Sequence, residues 1–203
     1  MSEITPSQTV GPYFAYGLAP HSRCNWSPDQ KAYDWKETVG ANLVTPDATG
    51  EKIRIEGRVT DGDGLPINDA MIEIWQADGQ GRYAHPTDPR GSNIGFKGFG
   101  RCGTGTDPAN RFVFETVKPG SVDGKQAPHV SVIVFMRGLL SHAYTRLYFS
   151  DEAEANAADP VLRSVPEARR ASLIAKREDT ASGPVYRFDI HMQGDAETIF
   201  FDV

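Results

Sequence analysis

The stretch Lys52-Ile53-Arg54-Ile55-Glu56-Gly57-Arg58-Val59 sets apolar residues and a glycine at every second position against charged ones. Side chains two apart on an extended chain face the same way, so this alternation predicts a half-buried strand. Asp61-Gly62-Asp63-Gly64 follows with turn chemistry, since glycine accepts positive φ and aspartate bonds its own backbone. Ala70-Met71-Ile72-Glu73-Ile74-Trp75-Gln76-Ala77 then reads as a second strand, closed by a turn at Asp78-Gly79-Gln80-Gly81. Further strands are predicted over 111–116, 129–136, 144–149 and 186–191, and 197–201 is a candidate to close the sheet. Gly98-Phe99-Gly100-Arg101 is read as another glycine-bearing turn. Short strands at near-regular spacing with turns between them predict a mainly β protein with a two-sheet β-sandwich core. The exception is 151–176, where Ala-, Glu- and Arg-rich sequence broken by Pro160 and Pro166 suits one or two short helices.

Residues 1–50 differ in texture. Pro, Gly, Asp and Asn are frequent and neither period is sustained, yet Tyr13, Phe14, Tyr16, Trp26, Tyr33 and Trp35 give more aromatic surface than a disordered tail carries. They are predicted to form an extended arm that packs on a partner, with 51–203 as the sandwich core. The chain has 203 residues, 39% apolar and 24% charged, which fits one folded domain with an arm. A net charge of -6 offers no basic stripe for phosphates and argues against nucleic acid as the partner. The two cysteines, Cys24 and Cys102, are too few for a disulfide scaffold. No stretch approaches the roughly 20 apolar residues that span a bilayer, and Met1–Tyr16 lacks a basic start followed by an apolar core. A cytoplasmic location is expected, with no membrane association.

The five histidines stand singly, and no HExxH, CxxC, GxSxG, P-loop or dinucleotide pattern is present. The informative constellation is Trp75-Gln76-Ala77 with Gly81-Arg82-Tyr83, then Thr116-Val117-Lys118-Pro119-Gly120, then Ala127-Pro128-His129-Val130-Ser131. Here the chain resembles the intradiol ring-cleaving dioxygenases. The resemblance extends from Pro6-Ser7-Gln8-Thr9-Val10-Gly11-Pro12-Tyr13 through Thr145-Arg146-Leu147-Tyr148-Phe149 to Tyr186-Arg187-Phe188-Asp189-Ile190.

That family holds ferric iron with a tyrosine in the Gly-Arg-Tyr turn, a tyrosine just after Lys-Pro-Gly, and two histidines in a His-x-His strand. Carried onto this sequence, Tyr83 and His129 keep their positions, while Val122 and Ser131 stand where the second tyrosine and second histidine would be. Valine has no donor atom, and a neutral hydroxyl is a poor substitute for imidazole at a transition metal. The resemblance therefore implies a subunit that binds no metal and has no catalytic residue of its own. Its partner would be a homologous iron-bearing β subunit in an (αβ)n assembly, cleaving protocatechuate with O2 to 3-carboxy-cis,cis-muconate. It further implies that Thr9, Gly11, Pro12, Tyr13 and Arg137 of this chain line the substrate pocket. A guanidinium suits the carboxylate of such a substrate, and Gly11 and Pro12 would let a stiff loop approach a flat ring.

Each residue also has a plainer reading. Tyr83 alone is a turn aromatic, His129 a core or interface histidine, and Arg137 a surface arginine. Two other functions remain in view: a self-sufficient catechol-cleaving homo-oligomer, against which Val122 and Ser131 speak, and a sandwich module that binds a small ligand without catalysis. The aromatic arm argues against the latter, since a self-sufficient module has no need of a long segment directed at a neighbour.

Overall fold

The computed structural model describes residues 9–11, 14, 18, 39–91 and 93–202. Its strands are β1 (Lys52–Thr60), β2 (Met71–Gln76), β3 (Phe99–Gly103), β4 (Arg111–Val117), β5 (His129–Phe135), β6 (Ala143–Phe149), β7 (Ile174–Thr180), β8 (Gly183–Arg187) and β9 (Ile190–His191). Between β6 and β7 lie α1 (Ala153–Ala158), α2 (Pro160–Ser164) and a 3₁₀ turn at Glu167–Leu173. The architecture is mainly β, as the alternation predicts.

Hydrogen bonding runs in the order β3-β2-β5-β6-β7-β8-β1-β4, with β9 beside β1. The path folds into two layers. β3, β2, β5 and β6 pair antiparallel, as do β7 with β8 and β1 with β4, while β7 is the joint, meeting β6 in parallel through Tyr148↔Ile174 and Phe149↔Ala175. The core fills the space between them: Ile72, Ile74, Val130, Val132 and Val134 from one layer meet Ile53, Ile55, Phe112, Phe114 and Tyr186 from the other. Phe149 meets Tyr186 edge to face, with ring centroids 4.8 Å apart. Gly57 holds an inward position of β1 because a side chain there would run into the Phe188 carbonyl and the Phe112 ring.

Alternation on β5 sends Val130, Val132 and Val134 inward and leaves His129 and Ser131 on the outer face. Part of that outer face is roofed by a second apolar cluster in which Leu162, Val165 and Leu173 pack with Tyr148 and Ala127.

Three local expectations are corrected. The predicted turn at Gly98–Arg101 contains the start of β3; its glycines hide a strand that is held by backbone pairing to β2, and Gly100 leaves room for the Leu43 side chain. The predicted strand 186–191 is divided between β8 and β9, and 197–201 forms no strand, contributing one bridge between Phe201 and Tyr144. β7, Ile-Ala-Lys-Arg-Glu-Asp-Thr, begins inside the span read as helical; its polar residues line an exposed strand that follows directly from the 3₁₀ turn.

Residues 39–50 pack on the sandwich: Leu43 is wholly buried in the main core, and Asn42 and Val44 bridge to Glu115 and Phe96. Cys102 is buried, which pushes its thiol up and leaves it unreactive.

Candidate functional site

Tyr83 is placed by a short, over-determined turn after β2. Asp78 is fully buried and its carboxylate accepts from the backbone N–H groups of Gln80 and Arg82, at 2.9 and 3.0 Å, and from the Arg82 guanidinium at 3.1 and 2.9 Å. Its carbonyl accepts from Gly81 and Gly120. Gly81 has φ of +74°, and a side chain there would strike the Ser121 carbonyl, so only glycine lets this turn close on the loop that carries Val122. Arg90 adds a second tie, donating to the Val122 carbonyl at 3.2 Å. The Tyr83 ring then stacks on Trp75, centroids 5.5 Å apart and planes 5° from parallel. An open cleft beside it is walled by Trp75, Tyr83, His85, Asp88 and Arg90.

Register connects this turn to β5 and β6. Trp75 stands opposite Ser131, which stands opposite Arg146, and His129 stands opposite Tyr148. His129 is 7% exposed, and its Nδ1 lies 2.8 Å from the Ala127 carbonyl. A carbonyl can only accept, so Nδ1 carries the proton and the neutral ring keeps a lone pair on Nε2. Burial raises the Tyr83 phenol above its ordinary value and lowers the His129 imidazole, and Arg146 is the strongest charge acting on each.

This arrangement does not fit iron. It offers one phenol and one imidazole; the other two positions are an apolar side chain and a hydroxyl, and the strongest charge acting on the site is positive. Among the described residues no group of three or more His, Cys, Asp or Glu side chains is placed to hold a metal. The burial of His129 has a measurable consequence instead. Its folded pKa lies below the ordinary 6.5, so below that pH the unfolded chain takes up the proton more readily and stability falls as pH falls through the window beneath 6.5. Between about pH 7 and pH 5 the melting temperature of the wild type should drop more steeply than that of His129→Gln; equal slopes would refute the assignment.

The other sequence-derived residues lie at the far end of β5. Arg137 follows the strand by two residues and is 56% exposed. Its Nε donates to the carboxylate of Asp69, whose side chain is only 10% exposed. Among the described residues its terminal nitrogens have no partner. Beside it Gly138 N–H donates to Thr9 Oγ1 at 3.1 Å, Phe14 N–H donates to the Gly11 carbonyl at 3.1 Å, and the Phe14 ring packs on Phe135 at 5.7 Å. Thr9 and Gly11 are thus gathered next to Arg137; Pro12 and Tyr13 lie outside the described residues. Seven residues of β5 at about 3.3 Å each separate this cluster from His129 by roughly 20 Å.

Sequence reasoning missed Asp69, Gln126 and Arg146, and read Asp78 only as the start of a turn. Of the missed residues only Arg146 had a signal, as the lone charged residue of its strand.

A family profile described as Dioxygenase matches residues 29–194, and the chain belongs to this family, the intradiol dioxygenases. Within it, the chain is 54% identical over 200 residues to the protocatechuate 3,4-dioxygenase alpha chain of Burkholderia cepacia, covering 98% of this chain and 97% of that one. It is 43% identical to the alpha chain from Pseudomonas putida, covering 98% and 96%, and 34% identical to the Burkholderia cepacia beta chain, covering 71% and 66%. The fold is shared with solved dioxygenases. The dioxygenase domain of a carbohydrate-binding fusion from Streptomyces sp. SirexAA-E superposes with a TM-score of 0.56 at 22% identity, over 93% of this chain and 97% of that one. An intradiol ring-cleavage dioxygenase from Tetranychus urticae gives 0.58 at 18% identity, over 79% and 91%.

Proposed function

We propose that this chain is the alpha subunit of a protocatechuate 3,4-dioxygenase, working in the cytoplasm with a homologous beta chain that alone holds ferric iron. Together they would cleave protocatechuate with O2 to 3-carboxy-cis,cis-muconate, both oxygen atoms entering the product. This chain's share is to bind and enclose the substrate. Arg137 would pair with its carboxylate, and Thr9, Gly11, Pro12 and Tyr13 would form one wall of the pocket, with residues 1–50 as an arm laid against the partner and 51–203 as the core.

The observation that carries this reading is the separation along β5. Arg137 and Thr9 stand roughly 20 Å from Tyr83 and His129, too far to serve a substrate bound in this chain's own remnant site. An exposed guanidinium whose terminal nitrogens have no partner among the described residues suits a neighbouring subunit's pocket instead. Val122 and Ser131 count against a self-sufficient homo-oligomer.

The test is co-production. Purified alone, the chain should be colourless and iron-free. Made with its beta partner, it should yield a complex with ferric–tyrosinate absorption and protocatechuate-cleaving activity. A coloured and active preparation of this chain alone would overturn the proposal.

A further inference from the structure

Arg146 is a half-buried cation on β6. It stands across β5/β6 from Ser131 and two residues from Tyr148, on the same outer face as His129. Its Nη1 donates to Gln126 Oε1 at 2.8 Å and lies 3.5 Å from Tyr148 Oη. The Tyr148 ring is in turn 5.9 Å from that of His129. Among the described residues Arg146 makes no ion pair. Its contact with acid is indirect, through Gln126, whose Nε2 donates to Asp123 Oδ2 at 3.3 Å. The other charges around the site are Arg90, paired with Asp88 at 2.7 Å, and Asp159, whose carboxylate is taken up by Ala127, Leu162 and Tyr148.

We propose that Arg146 excludes iron from this chain: its guanidinium, fixed beside Ser131, Gln126 and Tyr148, places a positive charge where a bound metal would have to sit, independently of the two missing ligands. In a partly dry site two cations a few ångströms apart repel far more strongly than in water, and a guanidinium stays charged at any working pH. Loss of two donors lowers affinity for a metal. An internal cation makes even a complete ligand set unfavourable.

This inference rests on the proposal that iron belongs to the partner, and the experiment separates the two. The alpha–beta complex is purified and its iron per alpha–beta pair is measured by metal analysis alongside ferric–tyrosinate absorption. Wild type should carry one iron per pair; two would overturn the proposed function itself. Val122→Tyr with Ser131→His in this chain should still carry one. Adding Arg146→Gln, or Arg146→Met as a second neutral form if the first does not assemble, should bring the count to two. Adding Arg146→Lys instead should leave it at one. The inference is overturned if the two-ligand restoration alone reaches two irons, if neutralising Arg146 adds none, or if lysine permits as much iron as glutamine.

Discussion

Replacing Arg137 by alanine in the assembled dioxygenase is expected to lower kcat/KM for protocatechuate by about 100-fold, while catechol, which lacks the carboxylate, changes by no more than a few fold. The magnitude follows from truncating one partner of a charge-assisted pair in a partly dry pocket, at about 3 kcal/mol, with about 1.4 kcal/mol to each factor of ten. The structure adds a second residue to this expectation. Asp69 holds Nε of Arg137, and among the described residues the terminal nitrogens have no partner, so the guanidinium presents two parallel donors to an incoming carboxylate. Asp69→Asn should therefore raise KM for protocatechuate several-fold with little change in kcat, and leave catechol unaffected. Steady-state kinetics on both substrates decide the matter: equal losses on protocatechuate and catechol in Arg137→Ala would refute the carboxylate assignment.

Asp159→Ala is expected to destabilise the chain by about 3–5 kcal/mol, since each buried donor left without an acceptor costs about 1–3 kcal/mol. Asp159 is wholly buried between the helical segment and the sheet. One carboxylate oxygen accepts from Leu162 N–H at 2.7 Å, which caps α2, and from Tyr148 Oη at 3.2 Å. The other accepts from Ala127 N–H at 2.8 Å, fixing the loop that leads into His129. Removing it strands donors on three separate elements and frays a helix whose first residue is Pro160. At about 2–4 °C per kcal/mol for a chain of this size, the melting temperature should fall by roughly 10 °C. Asp159→Asn, which keeps one acceptor oxygen, should fall in between. A loss below about 1 kcal/mol in the alanine variant, measured by thermal or denaturant unfolding, would show that the carboxylate is not the clasp described here.

The sandwich was legible wherever alternation was regular. β1 shows a period of two, while β2, β4, β5 and β6 read as runs rich in β-branched and aromatic residues between turns. β3 and β7 were not legible. Phe99-Gly100-Arg101-Cys102-Gly103 has the composition of a turn, and Ile174–Thr180 has the polarity of an exposed helix end; both are strands because a neighbouring edge supplies backbone partners, which no local pattern encodes.

For the site, the sequence by itself determined which atoms are present. Tyr83 and His129 can offer a phenol and an imidazole, Val122 and Ser131 cannot replace what is missing, and no fold can change that donor set. Only the tertiary structure decided how those atoms and their neighbours are used. Strand pairing set Arg146 beside Ser131, the Asp78 turn stacked Tyr83 on Trp75, and the length of β5 put Arg137 and Thr9 at the opposite end from His129. The physical reason is that donor chemistry belongs to single residues, whereas charge, register and distance belong to pairs of residues far apart in the chain.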